Sequence, residues 1–409
     1  MIRIRCSRHL LFGLSLACAL VLHAQDIMLP SDDYKPRLRK RKIPDLIPPV
    51  PTFPPVLSIP LAPLGYGPPG PTYLGRHHVL FSLDFLDETR LLVSFRAPNL
   101  MHRESGSDAE NEIRQMRAIV LSLPSGKVET QTLWTVPGPE RYVWTLNNGA
   151  FLLHDHDGLL LGNVKLDTSH FLQLAGSLLS LDIDPTRKIA VVNTLEPEKD
   201  ASANRPAVVA RVVDLGSGHV IKTIKTSQPI QSPINSEGFL NITHDKLDQW
   251  SLRLDEFAGT NSVVAHIEST CQPTSSFIAG HEVLIAGCTL TKNRKLSAVS
   301  IDNPSKQLWE FETPDFLIPP LFATAPDGSD FARETVVLKN PKPAPDTLWI
   351  KAVKAQVVRI YDSNTGKALL ETKVSPPLDG GGNVAISPSG KRIAVLNTGA
   401  IQVFDLPAN

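Results

Sequence analysis

Cysteine is scarce in this chain of 409 residues, which contains only four. Two of them, Cys6 and Cys18, fall within the first 25 positions. The other two, Cys271 and Cys288, lack the Cys-x-x-Cys spacing of a metal or redox pair, which is the alternative to a disulfide. They flank a predicted strand-turn-strand segment whose two arms lie side by side. We therefore predict a disulfide between Cys271 and Cys288.

Long apolar runs and an excess of one charge are also missing. Beyond the N-terminus no stretch is apolar enough for a transmembrane helix. Lys and Arg number 41 and Asp and Glu number 41, so the formal net charge is zero. This balance argues against a nucleic-acid-binding surface.

The N-terminus has the three parts of a secretory signal peptide. Arg3, Arg5 and Arg8 precede an apolar run from residue 10 to residue 22. Ala24-Gln25 then provides the small residue expected at a signal-peptide cleavage site. We expect an exported protein, periplasmic or extracellular. Lipid anchoring at Cys18 stays open as the alternative, although Ser15 stands where a lipobox has Leu.

Recognisable catalytic motifs are absent as well. The sequence has no Gly-x-Ser-x-Gly motif and no paired-carboxylate signature. Gly380 to Gly382 lack the Lys of a phosphate-binding loop. The run His154-Asp155-His156-Asp157-Gly158 has metal-ligand side chains, but it lies between two predicted strands, where Asp-Gly favours a hairpin turn over a metal site. We predict no cofactor and no catalytic residue.

What the chain does have is a repeat. One half-unit is a strand, a tight turn and a second strand, and the other is a strand that ends in a Ser-Gly or Thr-Gly turn. The first half-unit occurs at residues 83–95, 181–193 and 384–397, and the second at residues 119–134, 212–224 and 360–371. The turn glycines Gly126, Gly218 and Gly366 suit a position that needs a positive φ.

Whole units begin near residues 79, 143, 178, 232, 274, 318 and 382, a spacing typical of four-stranded propeller blades. The segment SPSGKRIAVLN, residues 387–397, is similar to the strand-turn of secreted bacterial propellers of the WD-repeat and YVTN-like type. The resemblance implies an all-β fold, a seven-bladed β-propeller, with six or eight blades as alternatives. The Trp-Asp dipeptide of WD repeats is missing.

Composition divides the chain into three parts. Residues 1–25 form the signal peptide, residues 26–71 a basic and Pro-rich disordered linker, and residues 72–409 the propeller. The linker contains the basic run KPRLRKRK, Lys35 to Lys42, and 11 prolines between residues 43 and 71. The basic run is either an anionic-surface contact or a solvated arm.

Loop lengths and the chain end give two topological predictions. The long insertions Pro98 to Gln115, Glu196 to Pro206 and Asn340 to Asp346 all fall between second and third strands, so they should share one face. The last repeat lacks an outermost strand, and either Val56 to Ile59 or Thr72 to Arg76 should supply it and close the ring.

These observations favour a binding or assembly module over an enzyme, with the ligand unassigned. Its partner would be a protein or a cell-envelope component, and the chain itself a monomer. The alternative is a propeller enzyme, such as a hydrolase, lyase or quinoprotein, with its site in the central channel.

Overall fold

The structure, a computed structural model, describes residues 50–67, 81–96, 113–138, 140–156, 158–196, 207–230, 233–291, 293–303, 306–313, 321–339, 353–378 and 382–407. These ranges contain 27 β-strands and a short 3-10 turn, Ala62–Leu64. The strands form seven antiparallel sheets, one for each predicted repeat. The prediction of a seven-bladed β-propeller is confirmed. The signal peptide and the basic run lie outside the described residues.

The strand bounds follow the predicted repeats closely. Blade 1 contains β2 (Phe81–Asp87), β3 (Arg90–Arg96), β4 (Ile113–Ser122) and β5 (Val128–Pro137). Blade 2 contains β6 (Val143–Thr145), β7 (Phe151–His154), β8 (Gly158–Gly162) and β9 (Thr168–Gln173). Blade 3 contains β10 (Ser177–Ile183), β11 (Ile189–Glu196), β12 (Ala207–Asp214) and β13 (Val220–Thr226). Blade 4 contains β14 (Gly238–Lys246), β15 (Gln249–Glu256) and β16 (Asn261–Glu268).

The last three blades complete the ring. Blade 5 contains β17 (Thr274–Ala279), β18 (Glu282–Cys288), β19 (Arg294–Ser300) and β20 (Gln307–Thr313). Blade 6 contains β21 (Leu321–Thr324), β22 (Asp330–Leu338), β23 (Val353–Asp362) and β24 (Ala368–Val374). Blade 7 contains β25 (Val384–Ile386), β26 (Arg392–Asn397) and β27 (Ala400–Asp405), with β1 (Leu57–Pro60) as its outermost strand.

Burial explains why some strands read as continuous apolar runs and others alternate. The second strand of a blade packs against blades on both sides, so β11 is buried on both faces for its first six residues. The outermost strand faces solvent, and β13 accordingly alternates exposed and half-buried side chains. The two patterns are those of doubly covered and singly covered strands.

The turns between the third and fourth strands of blades 3 and 6 share one local mechanism. In blade 3 the Asp214 carboxylate accepts hydrogen bonds of 2.7 Å from both the backbone N–H and the hydroxyl of Ser217. Gly218 follows at φ 73°, a left-handed conformation that favours glycine. Asp362 and Thr365 repeat these contacts in blade 6. The predicted positive φ at Gly126, Gly218 and Gly366 is confirmed.

The ring is closed by the N-terminal segment, as predicted. β1 pairs antiparallel with β27, with Leu57 opposite Val403 and Pro60 opposite Ala400. Leu57–Pro60 thus belongs to the last blade, although composition places it in the linker. Proline is compatible with this position because the strand lies at a sheet edge. The other candidate, Thr72 to Arg76, lies outside the described residues.

Side-chain contacts show that β1 takes the role of an outermost strand. In two other blades such a strand places an aromatic ring over the turn glycine of the following blade: Phe171 over Gly218 and Trp309 over Gly366. Ile59 of β1 covers Gly126 of blade 1 in the same way. The last blade therefore meets the first through the contact that joins other neighbouring blades.

Blade 4 departs from the four-stranded pattern. Among the described residues its innermost position is represented by an isolated bridge between Ile234 and Phe239, and residues 231–232, which precede it, lie outside the described part. The turn that follows this bridge is held by the Asn235 side chain, which accepts hydrogen bonds from the N–H groups of Glu237 and Gly238. β14 is consequently the second strand of the blade, β15 the third and β16 the outermost.

The ends of the ring differ in their connections. We call the end at which second and third strands join the loop face; it includes Leu247 in blade 4 and Leu290 in blade 5. The opposite end is the base face. The connections between β3 and β4, β11 and β12, and β22 and β23 all belong to the loop face. This confirms the predicted topology of the three insertions, most of whose residues lie outside the described part of the chain.

Candidate functional site

A cavity of about 660 Å³ lies at the centre of the ring. It is lined by inner-strand residues of blades 1, 2, 3, 6 and 7, and its polar lining includes both acidic and basic side chains. Three charged groups that converge there are Asp84 of β2, Arg141 before β6 and Arg187 between β10 and β11. They come from three consecutive blades, so they meet only when these blades pack side by side.

Asp84 is the central member of this group. The second strand and the neighbouring blades cover its strand, and the Asp84 side chain is only 15% exposed. Burial raises the pKa of Asp84, while Arg141, the Ser82 hydroxyl and Arg187 oppose that rise. The Ser82 hydroxyl donates to Asp84 over 2.7 Å. The carboxylate is thus held by partners that favour its charged form.

Arg141 is the accessible member. Its Nη2 lies 3.6 Å from Asp84 Oδ1, and its side chain is 52% exposed. Its Nε donates to the Val143 carbonyl over 2.9 Å, and its Cζ lies 5.9 Å from the centre of the Trp144 ring. One nitrogen and one face of the guanidinium are therefore fixed, while the remaining N–H groups border the cavity.

Arg187 is positioned by a rigid turn. The Asp184 carboxylate accepts hydrogen bonds from the backbone N–H groups of Lys188 and Ile189, and Arg187 itself has φ 56°. Its Nη1 donates to the Leu146 carbonyl over 2.9 Å. Burial lowers the pKa of Arg187, whereas the nearby Asp84 raises it. Asp84 thus faces two guanidinium groups, and the three groups together are net positive in either protonation state of Asp84.

Glu334 is a second buried carboxyl group at the cavity. It lies at the boundary between blades 6 and 7, where the Gln356 side-chain N–H donates to it. The Gln356 amide also accepts hydrogen bonds from the Leu378 backbone N–H and from Asn383, each over 3.0 Å. Burial raises the pKa of Glu334 to about 7, partly opposed by Asn383. This network holds the connection between the two blades.

The loop face also carries exposed apolar side chains. Ten large apolar residues are more than a third exposed in the described part of the chain. Five lie on or beside outermost strands: Val56, Val128, Leu133, Val220 and Ile221. The other five lie at the loop-face ends of strands or in loop-face turns of blades 3 to 6: Leu179, Leu247, Leu290, Leu321 and Val337.

The residues singled out from the sequence have structural roles wherever the structure describes them. Cys271 and Cys288 form a disulfide with a Cα–Cα distance of 5.5 Å. It ties the chain entering blade 5 to the end of β18, on the loop face. Asp157 lies outside the described residues, and on either side of it β7 pairs with β8 while Asp155 Oδ1 accepts a hydrogen bond from the Gly158 N–H, in agreement with the predicted hairpin turn. No group of three potential metal ligands occurs within the described ranges.

A Ser-His-Asp set in blade 4 has the residue types of a hydrolytic triad but the wrong order. The Ser251 hydroxyl donates to Asp245 over 2.6 Å and lies 3.2 Å from His266 Nδ1. Ser251 is 5% exposed and stands between the other two. A nucleophile needs the histidine as its base and the aspartate behind the histidine. This row is therefore a cross-strand polar contact.

Comparison with known proteins shows the fold alone. No protein-family model matches the sequence, and no curated protein sequence matches it significantly. Among solved structures, the chain is similar to the C-terminal WD40 domain of Sif2, with 12% identity, a TM-score of 0.41 and coverage of 81% of this chain and 97% of that domain. The WD40 domain of Toxoplasma gondii coronin has 10% identity, a TM-score of 0.44 and coverages of 80% and 81%.

An enzyme is also among the similar structures. The acylaminoacyl peptidase of Pyrococcus horikoshii has 10% identity and a TM-score of 0.44, with coverage of 77% of this chain and 48% of that protein. The seven antiparallel blades are the fold that the sequence resemblance to WD-repeat and YVTN-like propellers implies. Within the described ranges no helix is long and apolar enough to cross a membrane.

Proposed function

We propose that this chain is an exported β-propeller that binds another protein through its loop face. The observation that carries the proposal is the distribution of exposed apolar side chains. Leu179, Leu247, Leu290, Leu321 and Val337 lie on four consecutive blades around one mouth of the channel. Exposed apolar groups concentrated on one surface are typical of protein-binding sites. The three long insertions open on the same face, and loops on a rigid scaffold commonly carry binding.

Export is supported by two independent features of the chain. The first 25 residues have the composition of a signal peptide, and the Cys271–Cys288 disulfide suits an oxidising compartment. N-terminal sequencing of the mature protein should find a start close to Gln25. A mature N-terminus at an acylated Cys18 would instead show a lipoprotein, and an uncleaved chain would contradict export by this signal.

The binding proposal is tested with two matched triple variants. One replaces Leu247, Leu290 and Leu321 by Ser on the loop face, and the other replaces Val128, Val220 and Ile221 by Ser on outermost strands. Both remove three exposed side chains, so neither should lower the melting temperature by more than a few degrees. After cross-linking in envelope extract, we expect the loop-face variant to lose the partners that wild type and the control capture. Equal capture by both variants would contradict the proposal.

The central cavity supports a second candidate, a small-molecule site in the channel, which is where an enzyme of this fold would place its chemistry. The specific observation is the net positive group of Asp84, Arg141 and Arg187 beside the open volume. If it binds organic anions, millimolar citrate or phosphate should raise the melting temperature of wild type but not of Arg141→Gln. Equal shifts in both proteins would exclude Arg141 as the receptor.

A further inference from the structure

The hairpin that joins β14 to β15 ends in an exposed leucine. The two strands pair up to Lys246 opposite Gln249, so Leu247 and Asp248 form the turn, which lies on the loop face of blade 4. Leu247 is 87% exposed, the largest exposure among the large apolar residues of the described ranges. The whole hairpin, residues 238–256, belongs to the described part of the chain.

The backbone conformation of Leu247 is unfavourable for a leucine. Its φ is 48°, in the left-handed region that favours glycine. Within the described ranges one other leucine, Leu166, has a positive φ, of 65°. Leu166 is buried in the core between blades 1 and 2, so its packing offsets the backbone strain. The side chain of Leu247 has no comparable burial, and strain that the fold itself does not use is typical of functional positions.

Hydrogen bonds on both sides hold the turn in this conformation. His244 Nε2 donates to the Leu247 carbonyl over 2.6 Å, and the His244 ring lies 4.5 Å from the Trp250 ring, measured between centres. Trp250 Nε1 in turn donates to the Ser269 carbonyl over 3.0 Å. The Ser269 N–H donates to the Asp248 carbonyl over 2.8 Å. The carbonyl groups of both turn residues are therefore fixed.

The same serine connects the turn to the disulfide. The Ser269 hydroxyl donates to the Cys271 carbonyl over 2.6 Å and accepts from the Cys288 N–H over 2.9 Å. The hairpin tip is thus tied to a covalent cross-link at the start of blade 5. A side chain presented on a rigid support loses little conformational entropy when it is bound, so Leu247 is preorganised for a partner.

Acidic groups surround the exposed leucine. Asp245, Lys246 and Asp248 are its neighbours in the chain. Glu268 of β16 lies opposite Gln249, beside the turn. Three carboxyl groups and one ammonium group therefore border the tip. This excess of negative charge complements a basic protein surface and disfavours an anionic lipid surface.

We propose that Leu247 inserts into an apolar pocket of a partner protein and that Lys or Arg side chains border this pocket. A side chain that fills a pocket at the centre of an interface can supply a large share of the binding energy. The inference rests on the proposed loop-face function. It identifies the residue that anchors the interface and the chemistry of the partner surface.

Melting temperatures give the first test, with two leucine variants of the same backbone class. Leu247→Gly relieves the strain and removes almost no packing, so it should melt between 1 °C below and about 3 °C above wild type. Leu166→Gly removes a buried side chain and should melt at least 5 °C lower. A fall of equal size in both variants would show that Leu247 is retained for folding and would overturn the proposal.

The second test uses photo-crosslinking from the hairpin tip. A diazirine analogue of lysine replaces Lys246 in the full chain, and the matched control carries the same analogue at the exposed Lys225 of the outermost strand β13. In envelope extract, position 246 should form a discrete protein adduct that position 225 does not form. Excess wild type should suppress this adduct, and excess Leu247→Gly should not. No adduct, an adduct with lipid or with a second copy only, or equal suppression by both competitors would overturn the proposal.

The protein identified by that adduct is then purified and used as the probe. We expect Leu247→Gly to bind it at least tenfold more weakly than wild type, and Leu247→Met to bind within about threefold. Raising NaCl from 0.1 to 0.5 M should weaken wild type at least threefold, because the paired charges are screened. Glu268→Gln should reduce this salt dependence. A loss below tenfold for Leu247→Gly would overturn the anchor, and affinity independent of salt would overturn the basic border.

A double variant separates this inference from the function on which it rests. Leu290→Ser/Leu321→Ser keeps Leu247 and removes two other exposed leucines of the loop face. If it fails to suppress the adduct while Leu247→Gly suppresses it like wild type, the loop-face function stands and Leu247 is not the anchor. If both variants suppress it like wild type, the anchor and the loop-face function both fail.

Discussion

At the residue scale, the charged groups that line the cavity lie in two different environments. Asp84, Arg141 and Arg187 face open volume, and Arg141 keeps half of its surface exposed. Glu334 is instead 9% exposed and surrounded by the Gln356 and Asn383 amides at the boundary of two blades. The first group borders open volume, and the second joins two blades of the ring.

Glu334 makes the stability of the protein depend on pH. Burial raises the pKa of Glu334 from 4.5 to about 7. The protonated form is favoured on folding, so its stabilisation is fully present below about pH 4.5 and is lost as the pH rises through 7. A shift of this size corresponds to roughly 3 kcal/mol.

The matched variant is Glu334→Gln, which stays neutral and keeps an acceptor for Gln356. Between pH 5 and pH 8, the free energy of unfolding of wild type in urea should fall by about 2.5 kcal/mol, a loss that the variant does not show. If both proteins show the same change over this range, Glu334 is not the group responsible.

The charged residues at the cavity were missed by sequence reasoning for a physical reason. Asp84, Arg141 and Arg187 are far apart in the sequence, and each occupies an ordinary strand or turn position. Only the packing of blades 1 to 3 against one another brings them together. A weak signal existed at Asp84, where an acidic residue interrupts the apolar strand FSLDFLD. By contrast, the disulfide was predictable, because Cys271 and Cys288 lie on one hairpin.

At the scale of elements, local turn chemistry fixes most of the fold. Asp214, Ser217 and Gly218 determine their own turn through contacts within five residues, so the sequence predicts it directly. The innermost strand of blade 4 has no such signal, since Pro233 and the Asn235 turn replace an alternating pattern. Pairing of β1 with β27 depends on distant residues and was predictable only from the strand missing at the chain end.

The disulfide stabilises the element at which blade 4 leads into blade 5. Its cysteines are separated by 17 positions, for which loop-closure entropy gives about 3 kcal/mol. The double variant Cys271→Ser/Cys288→Ser should therefore unfold about 3 kcal/mol more easily than wild type in urea. Thiol titration of residues 26–409, denatured without reductant, should find no free thiol. Two free thiols would contradict the bond.

At the scale of the whole molecule, the ring depends on its N-terminal segment. β1 pairs with β27, Phe53 packs edge-on against Phe404 at 6.1 Å between ring centres, and Tyr66 packs against Phe81 and Phe95 of blade 1. The Glu371 N–H of blade 6 donates to the Pro51 carbonyl. Residues 51–66 thus contact blades 6, 7 and 1.

Two truncations test this role. A chain that begins at residue 50 keeps all these contacts and should melt within about 2 °C of the mature protein. A chain that begins at residue 68 loses β1 and the Tyr66 contacts, leaves the edge of β27 open, and should melt at least 10 °C lower or fail to fold. Equal melting temperatures would show that the ring does not need this strand.

The same closure has a consequence for how the molecule is made. Leu57 pairs with Val403, so one of the first strands to be synthesised waits for the last one before it gains its partner. Blades can assemble in order as the chain emerges, but the ring stays an open arc until the final residues are available. A chain whose synthesis stops before β27 therefore has a β1 without its partner and an incomplete last blade, so the domain is not closed. Closure of the ring therefore requires synthesis to have passed β27, which ends at Asp405.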